Sequence, residues 1–331
     1  MRTRVHSTVI AVAAVLGAPA ALAQAPVEMV MTNELATTHW KTGYMEEVAA
    51  DIEGRCEGRI DVKLYHAGQL YKDREAIAAI GTGAVHMAWP VSVLLDSVDP
   101  RYGIIDQPFV LSDELMLQPE ARRELNELMS GLLKDRGIEV MGLMRAAELI
   151  FLFPEMEVTS AEDLERRKIR VTGGKVLQDV MRNLGVSPVT MPASEMATSL
   201  ALGAIDGIFT SAGGWEMVGD TAQAASLVPG LSLLTYSVIV DEAWLDGLDE
   251  ELQGCIRGAV GDMLDVQWER AIEDDRKTLE SMLEKGHTFA TVPDDEVAAF
   301  KEAATTASAE FYERHPDVTA TYQAILKKYE E

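Results

Sequence analysis

The sequence predicts an α/β fold made of two similar lobes with a ligand cleft between them. Strand and helix patterns alternate along the chain with short connections, which is typical of a mainly parallel sheet covered by helices. A strand and helix series from the first half recurs in the second half. The 331 residues also exceed the length at which one hydrophobic core usually stops growing, so two domains are expected.

The amino terminus has the pattern of a secretory signal peptide. Arg2 and Arg4 precede an apolar run over residues 9–16 and a small-residue triplet at residues 21–23. Residues 1–23 are therefore predicted to be cleaved, although an uncleaved anchor is the alternative. The apolar run is shorter than the roughly 20 residues that a membrane span needs, and no later segment approaches that length. We expect an exported protein without direct membrane insertion.

Composition excludes several classes of protein. The formal charge of −25, from 54 acidic and 29 basic residues, argues against nucleic acid and anionic membranes as partners. The chain contains no H-E-x-x-H, G-x-S-x-G, Walker or G-x-G-x-x-G sequence, so we predict no metal, no cofactor and no enzymatic activity. The two cysteines, Cys56 and Cys255, form a disulfide or remain as two partly buried thiols.

The first half of the mature chain alternates between strand and helix. Residues 27–32 and 59–64 have strand patterns, residues 41–53 and 73–81 have helical spacing, and residues 85–89 form a short third strand. Ligands of such sheets bind beyond the carboxyl ends of the strands.

The second half repeats this series. Residues 168–171 and 186–191 have strand patterns on either side of a helix at residues 175–184. A further helix ends in the sequence GAID at residues 203–206, as the helix of the first half ends in GAVH at residues 83–86. In both places glycine ends a helix and a β-branched residue begins a strand.

The carboxy-terminal third adds helices. Residues 262–285, 294–311 and 319–329 have amphipathic helical spacing. The first of these lacks sustained heptads, so packing across both lobes is favoured over a dimerising coiled coil, and a monomer is expected.

Several short segments, in their order and spacing, resemble the substrate-binding proteins of TRAP transporters, the family named for C4-dicarboxylate binding. The resemblance covers nearly the whole mature chain. The segments are GRIDV at 58–62, GQL at 68–70, DQPF at 106–109, SAEDL at 160–164, KIRV at 168–171, residues 185–191 with Glu195, and GAIDG at 203–207.

The resemblance implies a two-lobe periplasmic binding protein fold with discontinuous lobes. The first lobe would comprise residues 24–147 plus about 236–275, and the second residues 148–235 plus about 276–331. It implies a periplasmic receptor that delivers a small organic acid to TRAP membrane permease subunits. A receptor of the ABC-transporter class, which shares the two-lobe design, is the alternative.

The resemblance also implies that Arg170, the arginine of KIRV, contacts the ligand carboxylate. A guanidinium presents a planar fork to which a carboxylate can bond twice. The alternative is a surface arginine at a strand end, beside Arg166, Arg167 and Lys168.

Two departures from the family pattern bear on the ligand. Leu149 stands where a second arginine is usual, and Thr210 lies where an asparagine follows the GAIDG segment. Arg145 is a candidate replacement for the missing charge. A dicarboxylate or sugar acid would leave hydrogen-bonding groups unpaired in a less polar pocket. An aromatic or apolar monocarboxylate, such as a hydroxybenzoate, is therefore the predicted ligand.

The remaining candidates follow from their places at strand ends or in the family pattern. Core packing is the alternative for the tryptophans, and an exposed helix face is the alternative for Glu75. These ligand-binding candidates are Asn33, Glu34, Glu75, Trp89, Phe151, Phe209 and Trp215.

Overall fold

The structure is a computed structural model that describes residues 25–329, so the predicted signal peptide lies outside the described residues. Within this range the chain forms two β-sheets with helices on their faces. The strands are β1 (Val27–Thr32), β2 (Ile60–Tyr65), β3 (Met87–Ala88), β4 (Ile138–Glu148), β5 (Ile150–Phe153), β6 (Lys168–Val171), β7 (Ser187–Thr190), β8 (Gly207–Thr210), β9 (Ala224–Leu227), β10 (Leu233–Asp241) and β11 (Thr288–Thr291).

The helices differ widely in length, from single turns to one helix of 35 residues. They are α1 (Trp40–Arg55), α2 (Asp73–Ala79), α3 (Asp113–Met116), α4 (Pro119–Leu133), α5 (Lys175–Asn183), α6 (Met196–Ala201), α7 (Ala212–Glu216), α8 (Glu242–Asp246), α9 (Glu250–Glu284), α10 (Val297–Arg314) and α11 (Pro316–Tyr329).

The two sheets confirm the two-lobe α/β prediction. The first sheet has the strand order β2-β1-β3-β10-β4 and the second has the order β11-β9-β5-β8-β6-β7. Neither is wholly parallel, because β10 runs antiparallel to β3 and β4, and β5 runs antiparallel to β8 and β9. The strands β5 and β10 follow the places where the chain crosses between sheets, so each enters its sheet in the opposite direction to its neighbours.

Helix α5 buries the apolar residues of one face. In α5 the buried residues are Val176, Leu177, Val180 and Met181, a spacing that places them on one side of a helix. That side faces the core, and α10 packs against the same helix.

Helix α9 connects the two lobes and begins twelve residues before the predicted start at residue 262. The Asp249 side chain accepts a hydrogen bond from the Leu252 backbone N–H and so caps its start. The helix contacts α1 and β4 in the first lobe and α7 and β11 in the second. A disulfide between Cys56 and Cys255, with a Cα–Cα distance of 5.6 Å, joins the end of α1 to α9.

The final helix, α11, packs against α4 beside the first sheet. This contact argues for assigning α11 to the first lobe, whereas the sequence placed all of residues 276–331 in the second. The other predicted lobe limits stay a prediction. None of the helices within residues 25–329 is long and apolar enough to cross a membrane.

Candidate functional site

A cavity of about 500 Å³ lies between the two lobes. The first lobe contributes Glu34, which follows β1, and Tyr236 from β10. The second lobe contributes Arg170 at the end of β6, Met191 after β7 and Thr210 at the end of β8. Because the carboxyl ends of parallel strands meet at one edge of each sheet, the two edges face each other across this space.

Arg170 is a buried cation that has no carboxylate partner within the described part of the chain. Its side chain is 2% exposed, and no carboxylate oxygen of residues 25–329 lies within 4 Å of its guanidinium. Nε and Nη2 donate to the Met191 carbonyl at 3.1 and 2.9 Å, and Nη1 donates to the Thr172 hydroxyl at 3.2 Å. Burial lowers the pKa of Arg170 to about 10, a shift that the negative charge of Glu34 partly opposes.

Three of the five guanidinium N–H groups of Arg170 are used in these bonds, which leaves one on each Nη nitrogen. A charged group removed from water is costly unless it is paired. The arrangement can therefore hold an anion against the Nη end of the guanidinium.

Glu34 connects the lobes across the cavity. One carboxylate oxygen accepts a hydrogen bond from the Asp73 backbone N–H at 3.0 Å, within its own lobe. The other accepts from the Ala193 backbone N–H at 2.9 Å, in the opposite lobe. A second bridge between the lobes, nearer the surface, joins Lys72 to Glu195 at 2.8 Å.

Lys41 and Asp73, two buried charged residues that the sequence analysis did not identify, lie beside the cavity with Glu34. Lys41 donates to the Trp89 carbonyl at 3.0 Å, and its ammonium lies 4.2 Å from the centre of the Tyr236 ring. Burial lowers the pKa of Lys41, while the charges of Asp73 and Glu34 oppose that change. Burial raises the pKa of Asp73 to about 6, against the attraction of Lys41.

His39 is a further cavity residue that sequence analysis missed. Its Nδ1 accepts a hydrogen bond from the Lys41 backbone N–H at the start of α1. Burial, followed by the charge of Lys41, lowers the pKa of His39 to about 3, so the ring is neutral and Nε2 carries the proton. Histidine is not among the preferred capping residues, so the sequence held no simple signal for it.

Four of the predicted site residues line the cavity: Arg170, Thr210, Glu34 and Glu75. Glu75 also accepts a hydrogen bond from the Lys72 backbone N–H at the start of α2. Gly214 packs directly on Thr210, where a Cβ would overlap the threonine hydroxyl.

The other predicted side chains do not line the cavity. Successive residues of a strand point to opposite faces, so Phe209 points away from the face that Thr210 occupies. Its ring packs against Phe151 with centroids 4.4 Å apart, and both are fully buried. Trp215 donates from Nε1 to the Ala222 carbonyl at 2.8 Å, within the core of the second lobe.

The first-lobe candidates are also held by the core. Asn33 donates to the Thr42 hydroxyl at 2.6 Å and accepts from the Leu35 N–H at 3.1 Å. Trp89 and Leu149 are each 1% exposed and pack in the main hydrophobic core. Their positions do not support the predicted contacts with a ligand.

Arg145 does not replace the missing second arginine. It forms ion pairs with Asp113, at 2.7 Å, and with Asp275, and it does not line the cavity. Its guanidinium is satisfied by these two carboxylates, so its role in the structure is internal pairing. Arg74 does line the cavity, as does Lys72, and neither was among the predicted site residues.

The apolar part of the cavity is formed by aliphatic and methionine side chains. Leu35 and Leu94 line it from the first lobe, and Met191, Met196 and Met217 line it from the second. Methionine side chains are flexible and polarizable, and they adapt to ligands of different shape. The aromatic residues predicted for the site do not line the described cavity, whose only aromatic rings are those of His39 and Tyr236.

Comparisons with known proteins agree with this architecture. The sequence profile of the DctP family, described as bacterial extracellular solute-binding protein family 7, matches residues 31–315. The C4-dicarboxylate-binding periplasmic protein DctP of Rhodobacter capsulatus is 28% identical over 272 residues, which cover 81% of this chain and 80% of that protein. The ectoine-binding periplasmic protein TeaA of Halomonas elongata is 22% identical over 307 residues, covering 86% and 87%.

Solved structures show the same fold. The sugar acid binding protein DctPAm of Advenella mimigardefordensis, in complex with galactonate, has a TM-score of 0.83 at 18% identity and covers 92% of this chain and 99% of that one. The family profile spans most of both lobes, including the cavity residues described above. The chain therefore belongs to the bacterial extracellular solute-binding proteins of family 7 and is a periplasmic substrate-binding protein of the TRAP transporter type.

Proposed function

We propose that this chain binds one carboxylate of a small organic acid at Arg170 and delivers the acid to TRAP permease subunits. The observation that carries the proposal is a fully buried guanidinium that faces a cavity between two lobes and has no carboxylate partner among residues 25–329. A carboxylate on the free Nη hydrogens would supply the missing charge with two short hydrogen bonds. The chain acts in this role as a receptor, without catalysis and without a cofactor.

We further propose that the acid is an aromatic or apolar monocarboxylate, with a hydroxybenzoate as the working example. The leucine and methionine side chains of the cavity offer apolar surface to a ring, and burial of a ring contributes about 25 cal/mol per Å². A ring hydroxyl has polar neighbours at Thr210 and Tyr236. Met196 and Met217 take the place of the aromatic neighbours expected from the sequence, since sulfur also contacts ring edges favourably.

A dicarboxylate or a sugar acid is the second candidate, and Arg74 is the observation that favours it. Arg74 lines the cavity, and its Nη2 lies 2.8 Å from the place that a Cβ on Gly173 would occupy, in the opposite lobe. A second carboxylate could pair with this guanidinium. The relatives named above bind a C4-dicarboxylate and ectoine, so family membership does not select one ligand class.

The membrane partner follows from the family. A TRAP-type receptor works with TRAP permease subunits, and the ABC-class alternative has no support from the family profile. That the chain acts as a monomer remains a prediction.

Titration calorimetry with para-hydroxybenzoate, succinate and galactonate tests the ligand class. We expect para-hydroxybenzoate to bind at least about tenfold more tightly than succinate, because only the ring gains from apolar burial. Arg74→Ala is the control variant: it should leave para-hydroxybenzoate binding unchanged if one carboxylate suffices. Tighter binding of succinate, weakened by Arg74→Ala, would establish the dicarboxylate alternative instead.

A further inference from the structure

A contact between the lobes can couple ligand binding to closure if its formation depends on a ligand in the cavity. The cavity and one of the contacts between the lobes meet at a short segment of the second lobe, residues 191–193. This segment follows β7 and carries both a carbonyl and an N–H group that bond to charged side chains.

Arg170 holds the segment from within its own lobe. Two N–H groups of the guanidinium donate to the Met191 carbonyl at 3.1 and 2.9 Å. Since the side chain is 2% exposed, no bulk water competes for these bonds. A carboxylate bound to the remaining Nη hydrogens would fix the guanidinium and hence the carbonyl.

Glu34 holds the same segment from the opposite lobe. Its carboxylate accepts the Ala193 N–H at 2.9 Å and the Asp73 N–H at 3.0 Å. The side chain is 9% exposed and lines the cavity. Hydrogen bonds to a charged acceptor in such a site are stronger than neutral ones.

We propose that Glu34 is a positioning residue that couples acid binding at Arg170 to closure of the lobes. The bound acid orders Arg170, Arg170 orders residues 191–193, and this segment presents the Ala193 N–H to Glu34. The inference rests on the proposed function, because it assigns the acid to Arg170.

The Lys72–Glu195 pair provides a matched control. It also crosses between the lobes, at 2.8 Å, but its side chains are 39% and 51% exposed, and Glu195 does not line the cavity. Exposed ion pairs contribute little to stability. Glu195→Gln should therefore leave closure nearly unchanged. In Glu34→Gln, an amide NH₂ replaces one of the two oxygens that accept the Asp73 and Ala193 N–H groups, so one of these donors loses its acceptor.

Distances between spin labels on the two lobes measure closure directly. Ala78→Cys on α2 and Leu202→Cys after α6 carry the labels on exposed positions. The measurement is made without ligand and with para-hydroxybenzoate or succinate at concentrations that saturate each variant by calorimetry. We expect Glu34→Gln to lower the ratio of closed to open molecules at least about tenfold with saturating ligand, because a charge-assisted bond is lost. Without ligand the fall should be smaller, because residues 191–193 are then not ordered through Arg170.

The outcomes are distinguishable. An unchanged ratio in Glu34→Gln with ligand, a fall of the same size with and without ligand, or an equal loss in Glu195→Gln overturns the proposal. If neither acid binds the wild-type protein, the assignment of the ligand class fails, whereas the comparison of ligand-free variants still decides whether Glu34 holds the lobes closed.

Discussion

Two buried arginines with different partners allow a sharp test of which one serves the ligand. Arg170 and Arg145 are 2% and 4% exposed. Arg145 pairs with Asp113 and Asp275, whereas Arg170 bonds only to a carbonyl and a hydroxyl within residues 25–329. The perturbation is replacement of each by methionine, which preserves much of the side-chain length and removes the charge.

The structure predicts opposite effects on stability and on binding. Burial lowers the pKa of Arg170 from 12.5 to about 10, so its charge costs about 3 kcal/mol at neutral pH. Three hydrogen bonds worth about 1 kcal/mol each offset that cost. Arg170→Met should therefore change the free energy of unfolding by no more than about 1–2 kcal/mol.

Removal of Arg145 has no such compensation. Arg145→Met leaves the buried carboxylate of Asp275 and that of Asp113 without their partner, which lowers the free energy of unfolding by about 3–5 kcal/mol. Acid binding should survive in the folded fraction, because Arg145 does not line the cavity. In Arg170→Met the affinity for the acid should fall at least about hundredfold, since two charge-assisted hydrogen bonds are lost.

Urea denaturation and titration calorimetry on the two variants provide the measurements. The assignment of the ligand to Arg170 is refuted if Arg170→Met retains the wild-type affinity, or if it destabilises the protein as much as Arg145→Met does. Arg170→Lys is a further check: an ammonium cannot reproduce the planar fork, so little affinity should return.

Two further predictions concern stability. Replacing Cys56 and Cys255 by serine should lower the free energy of unfolding by up to about 5 kcal/mol, because the disulfide spans 199 residues of sequence; equal urea midpoints for both proteins would contradict this. Asp73→Asn tests the buried carboxyl, whose pKa burial raises from 3.8 to about 6. The folded state holds this proton more tightly, so its contribution to stability is greatest below about pH 4 and is lost as the pH rises through 6. The free energy of unfolding of Asp73→Asn, relative to that of the wild-type protein, should therefore rise by up to about 3 kcal/mol over that pH window in urea titrations. A difference that is independent of pH would contradict this.

The parts of the fold that the sequence predicted have simple periodic patterns. Strands β1 and β6 have the predicted bounds. Glu34 follows β1, Arg170 lies near the end of β6, and both line the cavity. This topology brought Glu34, Arg170 and Thr210 to one cavity, as expected for carboxyl ends of parallel strands. Strand direction was sufficient for Glu34 and Thr210, whereas Arg170 also depended on the resemblance of its KIRV segment to the family pattern.

The rest depended on contacts that are distant in sequence. All nine residues of β10 are buried, so the strand has no alternation to reveal it, and its antiparallel direction follows from where the chain crosses between lobes. Arg145 has the same apolar surroundings in the sequence as a ligand-binding arginine would have. Only the fold brings Asp113 and Asp275, from 32 and 130 residues away, to its guanidinium.

The cavity shows why the net charge of −25 does not oppose an anionic ligand. Surface charges are screened over about 10 Å in salt solution, whereas the groups beside the cavity act at short range in a poorly solvated site. There the charges of Arg170 and Lys41 balance those of Glu34 and Asp73, and each carboxylate already accepts a backbone N–H. Arg170 is the member of this group whose side chain both lines the cavity and retains N–H groups without an acceptor in the described chain. In the proposed function this guanidinium holds the acid, while Lys41 offsets the negative charge of the opposite wall.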